Sequence, residues 1–169
     1  MHRLIGMIVT LAVITTGCGG SMKPTMSKDE ALARIHELID DTVSVIDPTP
    51  RLELDPTTLT VYRCLGFVGD NSDGRIYVTR AYYLRGIPQD KNKLVDIARQ
   101  VRRHWEQRGH VIEGTSRDGL VISARSRPDD FILSLSWTAG DVLMIGATSH
   151  CIWPNGTPEP SRSPDPGEP

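Results

Sequence analysis

Apolar residues along this chain recur at two periods, and the switches between them mark out the elements. Leu32, Ile35, Leu38, Ile39, Val43 and Ile46 fall three and four residues apart, one stripe of an amphipathic helix. Ser27 and Glu30 have the spacing of a capping box, so the helix should open at Ser27, and Asp47-Pro48 should stop it. The following TPRLELDPTT carries two turn signals and reads as a loop. Leu59 to Val68 and Arg75 to Leu84 are rich in branched and aromatic residues, with Asp70 to Gly74 turning the chain between them, which predicts a hairpin. Helical spacing returns in Leu94, Ile97, Ala98, Val101 and Trp105, between a candidate N-cap at Asp90 and a stop at Gly109.

The last third has period two. His110 to Gly114, Leu120 to Arg125, Phe131 to Trp137 and Val142 to Thr148 are separated by short turn signals, which makes sequential neighbours antiparallel. Leu120, Ile122 and Ala124, then Phe131, Leu133, Leu135 and Trp137, fall on one face, and Ser123, Ser134 and Ser136 on the other. An apolar sheet face and two apolar helix stripes need one another. The expected fold is α+β, with two helices packed on one face of an antiparallel sheet in the order α-β-β-α-β-β-β-β, forming a single domain over 27–153. Whether the first hairpin and the later meander share one sheet is left open by the pattern.

The first residues follow neither period. His2 and Arg3 precede an apolar run from Leu4 to Ile14, too short for a bilayer, which takes about 20 apolar residues. This is the layout of an export signal, expected over 1–17. Thr15-Thr16-Gly17-Cys18 resembles a bacterial lipobox, although an aliphatic residue is usual where Thr15 stands. The resemblance implies that Cys18 is lipidated and becomes the new N-terminus, with 18–26 as a short tether. A signal cut elsewhere and an uncleaved anchor are the alternatives. After Trp153 the tail, 154–169, is proline-rich and nearly free of apolar residues, the composition of a disordered segment.

Composition narrows the partners. Nineteen Lys and Arg against 21 Asp and Glu give a net charge of -2, and the charges are interspersed, so nucleic acid is not an expected partner. Three cysteines are present. With Cys18 assigned to lipid, Cys64 and Cys151 form an even pair in a compartment that allows oxidation and are expected to be bonded; free buried thiols or metal ligation are the alternatives. Structural zinc takes four ligands, more than Cys64, Cys151 and the adjacent His150 supply, so no metal is expected.

The lipobox, one cysteine in an early strand, YYLRGIP ahead of a helix closing in W..RG, and the final ATSHCIWPNGTPEP together resemble small secreted lipoproteins of actinobacteria, a group of unknown function. The resemblance spans most of the chain. It implies a membrane-attached envelope protein with one disulfide, and it carries over no catalytic residue.

Candidate chemistry is sparse. No glycine-flanked nucleophilic serine, HExxH, phosphate loop or dinucleotide fingerprint is present, and no cofactor is expected. No two of His36, His104, His110 and His150 share a ligand-like spacing. Asp70 to Gly74 lacks the ligands a calcium loop needs at its third and twelfth positions, where Ser72 and Ala81 stand. Asp40-Asp41 and Asp129-Asp130 read as solvated carboxylates, Arg102-Arg103-His104 as part of a solvated helix face, and Tyr62, Tyr77, Tyr82, Tyr83 and the tryptophans as core packing. The expectation is a lipid-tethered protein on the extracytoplasmic face of the cell membrane, held by the lipid on Cys18. It would bind an envelope protein or a small apolar ligand; an enzyme assembled from sequence-distant residues is the alternative.

Overall fold

The structure is a computed structural model that describes residues 26–64, 74–138, 140 and 142–156. The expected export signal, Cys18, most of the 70–74 turn and most of the C-terminal tail lie outside the described residues.

Helix α1 covers Lys28–Val43 and opens as its capping box demands: the Glu30 N–H donates to the Ser27 hydroxyl, and the Ser27 N–H donates to the Glu30 carboxylate at 2.8 Å. It ends at Val43, earlier than Asp47-Pro48, because the Ser44 hydroxyl donates to the Asp41 carbonyl at 2.6 Å and the chain folds back to bury Ile46. Helix α2 covers Lys91–Gln107, with the Asp90 carboxylate accepting from the N–H groups of Asn92 and Lys93. Its stripe of Leu94, Ile97, Ala98, Val101 and Trp105 is buried throughout.

The strands are β1 (Arg51–Leu54), β2 (Val61–Arg63), β3 (Ile76–Arg85), β4 (Val111–Thr115), β5 (Ile122–Arg125), β6 (Ile132–Thr138) and β7 (Val142–Thr148). They form one seven-stranded antiparallel sheet, ordered β1-β3-β7-β6-β5-β4, with β2 also paired to β3. The hairpin strand β3 therefore joins the meander through β7. The fold is α+β, with one strand more than expected. Within the stretch that reads as a loop, Arg51 to Leu54 pairs with the far end of β3, and a 3₁₀ turn at Pro56–Leu59 follows.

Both helices pack on the same face of the sheet. Leu120, Ile122, Ala124, Phe131, Leu133 and Leu135 are buried there with Leu143, Ile145 and Ala147. Trp137 departs from expectation: it lies opposite Leu143 on the core face but is 39% exposed at the strand's end, with the Lys91 ammonium 5.7 Å from its ring centroid. The tyrosines depart likewise. Tyr62 is exposed, Tyr77, Tyr82 and Tyr83 are half-buried, and of the tyrosines and tryptophans only Trp105 is deep in the core.

Beyond Thr148 the chain continues beside β3. Ile76 and Ile152 exchange backbone hydrogen bonds at 2.9 and 2.8 Å, and Asn155 then bridges to Ser27. The Cys64–Cys151 disulfide closes this end, with Cα atoms 6.1 Å apart.

Candidate functional site

Two features remain once the core is accounted for: a charged cleft beside the helices and an uncovered sheet face. The cleft, about 320 Å³, opens where the second half of α1, the end of α2 and the β5–β6 turn meet, and is lined by Arg34, Glu37, Leu38, Asp41, Arg108, His110 and Arg127. Its charges come from elements distant in sequence. Asp41 accepts from His104 Nε2 at 2.7 Å and from Arg108 Nε at 3.1 Å, joining α1 to the end of α2. Arg34 donates to Glu37 at 2.9 Å and to Asp129 in the β5–β6 turn. Asp129 also accepts from the buried Ser126 hydroxyl, which in turn accepts from the Phe131 N–H at 2.8 Å. Arg127 pairs with Asp130.

His110 sits among these groups with Nδ1 accepting the Arg127 backbone N–H at 3.2 Å, so the neutral ring carries its proton on Nε2. Burial lowers its pKa below the ordinary 6.5, against the opposing pull of Asp129 and Asp41. Burial pushes Asp41 and Asp129 upward, but hydrogen bonds outweigh it, from His104 and Arg108 on Asp41 and from Ser126 and Arg34 on Asp129. Both carboxyls are held below 3.8.

Acid should loosen this junction in two stages. A folded-state pKa below the unfolded one means that the unfolded chain takes up the proton first, so each group's stabilisation is lost as pH falls. For His110 the loss begins below about pH 6.5, and for Asp41 and Asp129 below about 3.8. Thermal unfolding followed by circular dichroism from neutral pH downward is expected to show both declines. His110→Gln should remove the first and keep the second; an unchanged first decline in that variant would assign it to another group.

The cleft's chemistry is that of a clasp. Its arginines face carboxylates, the Ser126 hydroxyl is committed to Asp129, and His110 Nδ1 is committed to the backbone. Sequence spacing does not bring these groups together. Asp41 and Asp129 read as solvated, yet each is partly buried and paired across elements, and His104, read as part of a solvated face, has a side chain only 11% exposed. Their one sequence signal is indirect: each carboxylate stands where a helix end or turn meets another element. Among the described residues no group of three His, Cys, Asp or Glu is placed to hold a metal ion. A smaller cleft of about 110 Å³ lies between His36, Ile39, Asp40, Leu52 and Tyr82.

The second feature is the sheet face opposite the helices. Register aligns Ala81, Gly146, Ser134, Ser123 and Gly114 in a row across five strands. A Cβ on Gly146 would meet Ser134 Oγ at 3.1 Å and Ala81 Cβ at 3.3 Å, so glycine keeps this row shallow. Thr79, Thr148 and Ile132 flank the furrow on one side, and Tyr83, Met144 and Ser136 on the other. Among the described residues no helix covers this face.

Of the residues singled out in the sequence, Cys64 and Cys151 are brought together in a bond, and Cys18 lies outside the described residues. No helix among the described residues is long and apolar enough to cross a membrane. No protein-family model, curated protein or solved structure compared with the chain matches it.

Proposed function

We propose that the chain is a lipid-anchored binding module of the cell envelope, tethered through Cys18 on the extracytoplasmic face of the membrane and recognising an envelope protein with the open face of its sheet. The observation that carries this reading is the furrow Ala81–Gly146–Ser134–Ser123–Gly114, a flat surface with apolar and hydroxyl residues on its flanks and no helix over it among the described residues. Broad, shallow surfaces of mixed polarity suit proteins, whereas small apolar ligands want deep apolar cavities. The two clefts described above are lined largely by polar side chains, which favours a protein over a small apolar ligand. The lipobox, the cysteine pair and the likeness to actinobacterial lipoproteins support the location.

The charged cleft favours a second reading, an envelope enzyme using His110. It ranks lower because the cleft's arginines are paired with carboxylates and no Ser, Thr or Cys is among the described residues that line it.

The test combines location with contact. Two lipid chains hold a protein on a bilayer stably where one does not, so a diacylated wild-type chain should stay with the membrane. Cys18→Ser should release it or leave an unprocessed precursor; equal retention and maturation of the variant would sink the anchor. In intact cells, a photocrosslinker placed at Ser134 or Ser123 should capture a discrete partner that the same probe at Arg99, on the exposed side of α2, does not. Equal labelling from both faces would remove the sheet from the account.

A further inference from the structure

The end of the domain at which the chain enters carries an aromatic surface. Asn155 bridges to Ser27, and Trp153 lies against Gly74, where an added Cβ would stand 3.4 Å from the indole. Along the neighbouring edge, Tyr62 and Tyr77 stack with centroids 5.1 Å apart, and Val61, Tyr62 and Leu59 are exposed. β2 pairs with Ile76 to Val78, the end of β3 nearest Ser27, which places Val61 and Tyr62 toward the same end as Trp153. The exposed Arg63 follows Tyr62 in β2, and the half-buried Lys28 donates its backbone N–H to the Pro154 carbonyl, next to Trp153. Such a surface, apolar bodies with polar tips beside cations, has the chemistry of the bilayer interface, where Trp and Tyr place rings among acyl chains and hydroxyl or N–H groups among headgroups.

We infer that this end, built from Trp153, Tyr62 and Tyr77, rests on the lipid surface and fixes the orientation of the domain. The inference rests on the anchor proposed above. From Cys18 to Ser27 is nine residues, which span at most about 30 Å. A lipid on Cys18 therefore keeps the surface beside Ser27 within that distance of the headgroups.

Tryptophan quenching tests this directly. Trp105 is buried, and Trp137 lies toward the opposite end of the sheet, where β6 turns into β7. The full lipidated chain is reconstituted into vesicles of phosphatidylcholine and phosphatidylglycerol, part of the lipid carrying bromine near the carbonyl end of its acyl chains. In Trp137→Phe, the Trp153 emission should be largely lost on the brominated vesicles. In Trp153→Phe, emission should be nearly untouched. Tyr62→Ser should weaken quenching of Trp153 while the protein still floats with the vesicles. Flotation without quenching of Trp153, or equal quenching of Trp137, would overturn the surface while leaving the anchor standing, and would give the aromatic patch to a protein partner. Failure of the wild-type chain to float would overturn the anchor and the surface together.

Discussion

Cys64→Ser and Cys151→Ser should each destabilise the domain by about 4 to 5 kcal/mol, the loop-closure entropy that an 87-residue crosslink removes from the unfolded chain. Against a typical net stability of about 5 to 15 kcal/mol this is a large share, corresponding to a drop in Tm on the order of 10 °C or more. The double variant should be no worse than either single one, because each change already breaks the bond. Differential scanning calorimetry of the three variants, with and without reductant for the wild type, measures this. Effects that add, or a wild-type Tm indifferent to reduction, would count against the crosslink.

Trp105→Ala should cost about 3 to 5 kcal/mol, the usual range for emptying a buried aromatic site. The indole is 1% exposed where α2 meets α1, and its N–H donates to the Thr42 hydroxyl at 2.8 Å. That hydroxyl donates to the Leu38 carbonyl at 2.7 Å, so one buried side-chain pair ties the two helices together. Thr42→Val alone should cost about 1 to 3 kcal/mol by leaving the indole N–H unpaired. Trp105→Phe combined with Thr42→Val should cost less than the sum of the two singles, since it removes donor and acceptor together. Urea titrations of the four proteins provide the cycle; strict additivity would mean that the hydrogen bond carries no coupling.

What the sequence makes legible and what it hides divide by distance along the chain. The Ser27–Glu30 box and the Asp90 cap are settled within three residues, and the helical stripes within a few turns, so pattern alone is enough for both. The meander is legible because its turns are short and each strand's partner follows at once. Strand β1 is hidden: Arg51–Leu54 is four residues between prolines, and it becomes a strand only because β3 offers Leu84 and Tyr82 as partners. The cleft is hidden for the same reason, since Asp41 meets Arg108 and Arg34 meets Asp129 only after α1 has docked. Core burial of the tyrosines is misjudged because aromatic composition marks a strand without assigning a face, and register sets Tyr62, Tyr77 and Tyr83 on the face opposite the helices. The disulfide is legible from the even pair that remains once Cys18 is set aside and from the expected export, without geometry.

Strand β7 is nearly the last part of the domain to be synthesised, yet it sits between β3 and β6 in the sheet. A chain that emerges N-terminus first can form α1, the first hairpin and α2, but these have no complete surface to pack on until Val142 to Thr148 arrives. Its pairings with β3 join residues 61 to 69 positions apart, the kind of long-range closure that slows folding. Such an arrangement keeps a nascent chain from completing its sheet until β7 has been made, so the elements before it stay loosely held for as long as that strand is still to come.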